Sequence, residues 1–88
     1  MRLDVYLKTA RLFSRRTEAQ RQIGLGQVLL NGAPAKPAHA VAPGDRLLIR
    51  YLRLELELEI TATPRGNVSK AVAPGLYRLI RRTPKDEL

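Results

Sequence analysis

The chain has 88 residues, no cysteine and a formal net charge of +8 at pH 7. This length is typical of one domain, and the absence of cysteine excludes disulfide bonds and thiolate-ligated metal centres. Lys and Arg outnumber Asp and Glu by 16 to 8, and this excess favours polyanionic partners such as nucleic acid, an acidic protein or an anionic membrane.

A first helix is predicted over residues 3–13. Leu3 and Leu7 lie one turn apart on its apolar face. Asp4 falls in the first turn, where a negative charge suits the positive end of the helix dipole and can also pair with Lys8 four residues later. The side chains that we expect to be buried in this region are Leu3, Tyr6, Leu7, Ala10 and Phe13.

A second helix is predicted over residues 15–24, with Ser14 as its N-cap. Gly24 and Gly26 end this helix, because glycine readily takes the left-handed conformation that follows a helix. The side chains expected to point inward are Ala19 and Ile23. Those expected to point outward, which give the helix a basic and polar face, are Arg15, Arg16, Gln20, Arg21 and Gln22.

A small antiparallel sheet is predicted to follow the helices. A short strand at 28–30 leads into the two-residue turn Asn31-Gly32, because both residues tolerate a positive φ. Two prolines keep the return segment irregular and at an edge of the sheet. Further strands are predicted at 46–51 and at 52–60, where leucines and an isoleucine alternate with charged residues.

The rest of the chain is predicted to be an extension that packs on the same core. We expect a loop over 64–75 with a helical turn at 68–73, a short basic helix over 76–82 and a frayed tail over 84–88. The fold class is α+β, with two N-terminal helices packed on a small, mainly antiparallel sheet. Residues 1–50 form the predicted domain, and residues 51–88 its extension of a β-strand and a short helix.

The sequence offers no set of residues for catalysis or for a cofactor. His39 is the single histidine, and a lone loop histidine is usually solvated. Glu55, Glu57 and Glu59 share one strand face, but a single strand does not surround a cation. We therefore predict a non-enzyme without a metal, a cofactor or a small-molecule substrate. No segment approaches the roughly 18 apolar residues of a membrane span, and charges interrupt the apolar run that a signal peptide needs, so we expect a cytoplasmic protein.

The order of residues across about positions 2–50 resembles a known family. The residues that carry the resemblance are Leu3-Asp4, Leu7, Ser14-Arg15-Arg16, Ala19, Ile23, Gly26, Val28, Leu30-Asn31-Gly32, Lys36-Pro37, Val41, Gly44-Asp45, Leu47 and Ile49. Their spacing is similar to that of the S-four RNA-binding domain, or alpha-L motif, of ribosomal protein S-four, many pseudouridine synthases and bacterial tyrosyl-tRNA synthetases. The resemblance implies an RNA surface formed by the first two helices and the adjoining β-turn.

The later part of the chain is similar to the heat-shock protein fifteen family, in which a strand is followed by Arg65-Gly66 and then by Leu76-Tyr77. That resemblance implies binding to ribosomal RNA on large subunits stalled with a peptidyl-tRNA. Carried onto this chain, the RNA surface of the S-four family falls on Arg2, Ser14, Arg15, Arg16, Arg21, Asn31 and Lys36. The predicted polar face of the first helix adds Lys8 and Arg11.

We therefore predict a non-catalytic protein that grips structured RNA, above all ribosomal RNA or a ribosomal subunit, through basic helix surfaces. Residues 1–50 hold nine basic and three acidic residues. Arginines at the start of the second helix lie beside unpaired backbone N–H groups, and both favour phosphate. The alternatives are a protein-interaction module, an accessory RNA-binding subunit of an RNA-modifying enzyme and a duplex DNA binder. A membrane partner is not expected, because the helices lack a large exposed apolar face.

Overall fold

The computed structural model describes residues 1–64 and 72–85. Its helices and strands, in chain order, are α1 (Leu3–Thr9), α2 (Arg16–Gly24), β1 (Val28–Leu30), β2 (Ala33–Pro34), β3 (Arg46–Arg50), β4 (Leu54–Ile60) and β5 (Tyr77–Pro84). The strands form one antiparallel sheet in the order β2-β1-β3-β4-β5. Buried residues of both helices and of the sheet join in one apolar cluster, which confirms the predicted α+β fold.

The alternating sequence of β3 and β4 gives the sheet one apolar and one charged face. Leu47 lies opposite Leu58, and both are buried in the core. The residues that alternate with these leucines along each strand lie on the other face of the sheet. On that face Arg50 and Glu55 form an ion pair of 3.5 Å. Directly opposite residues share a face of a sheet, so the glutamates of β4 lie among arginines of the neighbouring strands.

The predicted turn between β1 and β2 is confirmed. Asn31 and Gly32 have φ values of 51° and 85°, as a two-residue turn with two left-handed positions requires. The Asn31 side chain also holds the next strand in register. Its Oδ1 accepts the Arg46 N–H at 2.9 Å, and its Nδ2 donates to Asp45 Oδ1 at 3.2 Å.

The first helix is shorter than predicted, because it ends at Thr9 rather than at residue 13. Arg11 takes a φ of 59°, which turns the chain out of the helix. The N–H groups of Leu12 and Phe13 both donate to the carbonyl oxygen of Leu7, at 2.9 and 3.2 Å. This turn buries both side chains in the core.

The prediction that Ser14 caps the second helix is wrong. The N-cap of α2 is Arg15, and no side chain caps it by a hydrogen bond. Ser14 is exposed and lies one residue before the cap. The predicted end of the helix at Gly24 is confirmed, with Gly26 following in the left-handed region at a φ of 77°.

The predicted basic helix over 76–82 is wrong, since these residues enter strand β5 after a 3-10 turn at Ala73–Leu76. Strand β4 is charged on one face and apolar on the other, and β5 complements the charged face with arginines. Arg78 lies opposite Glu59 and donates to it at 2.6 Å. Spacing alone could not reveal this pairing, because the partners of these residues on β4 lie 17 to 30 positions earlier in the chain.

Other boundaries in the C-terminal part also differ from the predictions. Strand β4 begins at Leu54 rather than at residue 52, and Leu52 lies in the turn before it with 79% of its surface exposed. Pro84 ends β5, and the Lys85 N–H donates to the Arg53 carbonyl oxygen at 2.9 Å, so the start of the predicted frayed tail is held in place.

Three further interpretations lie outside the described residues. They are the motif Arg65-Gly66, most of the helical turn predicted at 68–73, and the last three residues of the predicted tail. Within the ranges that are described, no helix is long and apolar enough to cross a membrane.

Candidate nucleic-acid interface

The carboxylate of Asp4 joins the starts of the two helices. Asp4 lies in the first turn of α1 and is fully buried, at 0% exposure. Arg2 donates to both of its oxygens, from Nε to Oδ1 and from Nη2 to Oδ2, each at 3.1 Å. Arg16, the first residue of α2, donates from Nε to Oδ2 at 3.1 Å. One buried negative charge therefore holds two arginines from different parts of the chain.

Two further hydrogen bonds complete the shell of Asp4. Gln20 Nε2 donates to Oδ2 at 2.9 Å, and the backbone N–H of Val5 donates to Oδ1 at 2.8 Å. The prediction that Asp4 pairs with Lys8 is therefore wrong, and so is the outward orientation predicted for Gln20. Gln20 lies one helical turn after Arg16, so both side chains reach the same carboxylate from one face of α2.

These contacts keep Asp4 ionised in the folded protein. Burial by itself raises the pKa of Asp4. Hydrogen bonds from the Gln20, Arg2 and Arg16 side chains and from the Val5 N–H lower the pKa by more than burial raises it, to about 2. A carboxylate that accepts several hydrogen bonds from cations is stabilised in its charged form. The group therefore carries its charge throughout the neutral and mildly acidic range.

We expect the Asp4 cluster to make the fold acid-sensitive between about pH 4 and pH 2. The pKa of Asp4 in the folded protein lies below its ordinary value of 3.8. The Asp4 contacts therefore stabilise the fold fully when the pH is above 3.8, and this stabilisation is lost as the pH falls through about 2. The size of the effect is about 2 kcal/mol. Urea unfolding of wild type and of Asp4→Asn across this range measures it. The gap between the two free energies of unfolding should narrow as the pH falls, and a constant gap would contradict the assignment.

Two more predicted site residues lie near this cluster. Arg15 is the exposed N-cap of α2, directly before Arg16. Lys36 is exposed in the loop that covers the start of α1, where the Asp4 N–H donates to the Pro37 carbonyl oxygen at 3.1 Å. We define the helix-start surface as Arg2, Arg15, Arg16 and Lys36.

The other five predicted site residues are also exposed and are not part of this set. Lys8 is in the last turn of α1, while Arg11 and Ser14 lie in the link between the helices. Arg21 is in the last turn of α2, 3.8 Å from Glu18. Asn31 is at the β1–β2 turn, where its side chain is engaged within the protein as described above.

Two tyrosine hydroxyls join parts of the chain that are far apart in the sequence. The Tyr6 hydroxyl donates to the Leu76 carbonyl oxygen at 2.8 Å, and the Tyr51 hydroxyl donates to the Leu12 carbonyl oxygen at 2.6 Å. Burial raises the pKa of Tyr51 to about 12, with a smaller contribution from Tyr77. Phe13 packs on Tyr51 with ring centroids 5.3 Å apart. Tyr6 and Phe13 are buried in the core and Tyr51 is partly buried against it, so the rings of Tyr6 and Phe13 are not available for stacking on bases.

Sequence reasoning missed Gln20 and the role of Asp4. One signal was present: Asp4 lies between Leu3 and Val5 at the start of an apolar helix face, and a buried charge requires partners within the protein. The identity of those partners depends on how α1 and α2 pack together. Only the structure shows that packing.

Comparisons with known proteins place this geometry in a family. The S4 domain, the S-four domain named above, matches residues 1–47. The RQC P-site tRNA stabilizing factor of Listeria monocytogenes is 38% identical over 99% of this chain and 94% of its own length. The factor of the same name from Bacillus subtilis is 32% identical over 92% and 93% of the two chains.

A solved structure agrees with these matches. The trimeric structure of Vibrio cholerae heat shock protein 15 superposes with a TM-score of 0.84 at 30% identity, over 91% of this chain and 81% of that one. The sequence and structure matches together support an RNA-binding, ribosome-associated function. This chain belongs to the S4-domain family, among the proteins related to heat shock protein 15.

Proposed function

We propose that this protein binds structured RNA of the ribosome, either ribosomal RNA or a tRNA held on a subunit, and that the helix-start surface makes the main contact. The curated relatives are named for stabilizing a P-site tRNA, which supports a place on the ribosome. Their name describes a binding factor, and the proposal for this chain is likewise binding without catalysis.

The observation that carries the proposal is the exposure of arginines that the fold already holds in place. The side chains of Arg2 and Arg16 are 47% and 46% exposed although both contact buried Asp4. Guanidinium groups present several N–H donors in a planar arrangement that fits phosphate oxygens. Arg15 and Lys36 add positive charge beside them, so the surface suits a phosphate backbone.

The proposed recognition reads the shape and backbone of RNA more than its sequence. An A-form duplex hides its major-groove edges, and sequence readout of single strands relies on aromatic stacking. Tyr6 and Phe13 are buried in the core, and Tyr51 is partly buried against it with its hydroxyl bonded to Leu12. Modest sequence specificity follows from this arrangement.

A second candidate function is binding of a protein partner. A groove of about 580 Å³ opens beside the β3–β4 turn, and its lining includes Tyr51, Leu52, Leu54, Leu56 and Arg82. Leu52 is a large apolar side chain left mostly exposed there. Such a patch is typical of contact surfaces, and it lies on strands rather than on the helix-start surface.

The test compares two charge reversals in titrations of large ribosomal subunits and of a structured ribosomal RNA fragment. We expect Arg15→Glu to weaken binding about tenfold and to reduce the salt slope by about one, because one phosphate contact is lost. Arg15 caps α2 without a side-chain hydrogen bond, so the fold should be unaffected. Circular dichroism checks this.

Arg82→Glu is the matched control. It makes the same change of charge on β5, opposite Leu56. Equal losses for both variants would show that net charge alone sets the affinity, and a loss confined to Arg82→Glu would move the contact to the C-terminal arginines. If wild type binds neither RNA nor subunits, the protein-partner function becomes the better proposal.

A further inference from the structure

We propose that Arg2 and Arg16 form one two-pronged site for a single backbone phosphate of RNA, and that Asp4 and Gln20 are its positioning residues. This inference rests on the proposed RNA-binding function and assigns its ligand group and its supporting residues. We refer to the four residues together as the arginine clamp.

Each guanidinium of the arginine clamp keeps donors that Asp4 does not use. Arg16 uses only Nε in its bond to the carboxylate, and Arg2 uses Nε and Nη2. Both Nη groups of Arg16 and Nη1 of Arg2 have no hydrogen-bond partner among residues 1–64 and 72–85. A guanidinium carries several N–H donors, and both side chains are partly exposed, so the unused donors remain available to a ligand.

The two arginines are close enough to act on one ligand. Arg2 Nη2 and Arg16 Nε each lie 3.1 Å from the same oxygen, Asp4 Oδ2, so these nitrogens are separated by no more than twice that distance. Two positive charges and one carboxylate leave one net positive charge. That charge matches the single negative charge of a backbone phosphodiester, whose two free oxygens can each accept from one guanidinium.

Asp4 makes this approach possible. Without it, two like charges would repel each other, and each long side chain would sample many rotamers in solvent. Ordering such side chains on binding costs free energy, and a site that is already ordered avoids that cost. Gln20 supports the arrangement without a charge, because its amide donates to the oxygen that both arginines share.

The direction in which one substitution changes the affinity for RNA distinguishes a positioning role of Asp4 from a simple effect of its charge. Asp4→Asn removes a negative charge beside the RNA, so charge counting predicts tighter binding. The arginine clamp predicts binding that is about fivefold to tenfold weaker, because both arginines lose their fixed orientation. This loss should persist at high salt, since an ordering cost is not screened. The probe is the structured ribosomal RNA fragment, titrated at several salt concentrations.

Two further variants complete the test. Gln20→Ala leaves the charge unchanged and should weaken binding about twofold to threefold through the same loss of order. Glu18→Gln removes an acidic charge from the same helix outside the clamp, and it should bind as tightly as wild type or more tightly. If Asp4→Asn fails to fold, Gln20→Ala decides the matter.

The outcomes distinguish the two levels of the proposal. Asp4→Asn or Gln20→Ala binding as tightly as wild type, in a folded protein, would overturn the arginine clamp while the helix-start surface stays in place. If Arg15→Glu and the clamp variants all bind RNA as tightly as wild type, the proposal that the helix-start surface binds RNA is overturned as well.

Discussion

Raising the salt concentration from 50 to 200 mM is expected to weaken binding to structured RNA by about 100-fold to 500-fold. The estimate takes about five phosphate contacts, each of which releases counterions from the RNA, and a slope of log K against log salt of roughly −3.5 to −4.5. The helix-start surface supplies four cations, and Lys8 or Arg11 on the neighbouring helix and link can supply a fifth.

The measurement is a fluorescence anisotropy titration of a labelled ribosomal RNA fragment at four or more salt concentrations. Arg15→Glu serves as an internal reference, since its slope should be smaller by about one. A flat dependence for wild type would contradict the phosphate-backbone mode, because contacts between apolar groups and bases are not screened by salt.

Leu58→Ala is expected to lower the free energy of unfolding by about 2 to 5 kcal/mol. Leu58 is fully buried in β4, opposite Leu47 on β3 and Leu79 on β5. Its truncation would leave a cavity where three strands meet the helices. Small domains have total stabilities of about 5 to 15 kcal/mol, so this one change should remove a large part of the total.

The matched control is Leu52→Ala, which makes the same chemical change at the exposed β3–β4 turn. It should alter stability by no more than about 0.5 kcal/mol. Urea unfolding followed by circular dichroism measures both variants. Equal effects at the two positions would show that β4 does not lie in the core as described.

Local patterns were sufficient to predict several elements of the fold. The stripe of Leu3 and Leu7, the Asn31-Gly32 turn and the alternation in β4 each follow from the spacing of residues within one element. The strand β5 could not be predicted in this way. Leu76, Leu79 and Ile80 have the spacing of a helical face, and the strand that forms instead depends on the distant partner β4.

In the candidate site, the exposure of the residues could be predicted from the sequence, but their contacts with one another could not. All nine predicted residues are exposed, because charged side chains on a small domain rarely have anywhere else to lie. The convergence of Arg2 and Arg16 on Asp4 was not predictable, since the two arginines lie 14 positions apart and meet only through the packing of α1 on α2. The role of Gln20 depends on the same packing.

The bond between Tyr6 and Leu76 has a consequence for the order of events during synthesis. The two groups lie 70 positions apart, and Leu58, Ile60 and Leu76 all contribute to the core that supports α1. A nascent chain that has emerged only through β3 carries every residue of the arginine clamp, but it still lacks this support. We therefore expect the proposed RNA surface to become ordered late, after translation has passed Leu76.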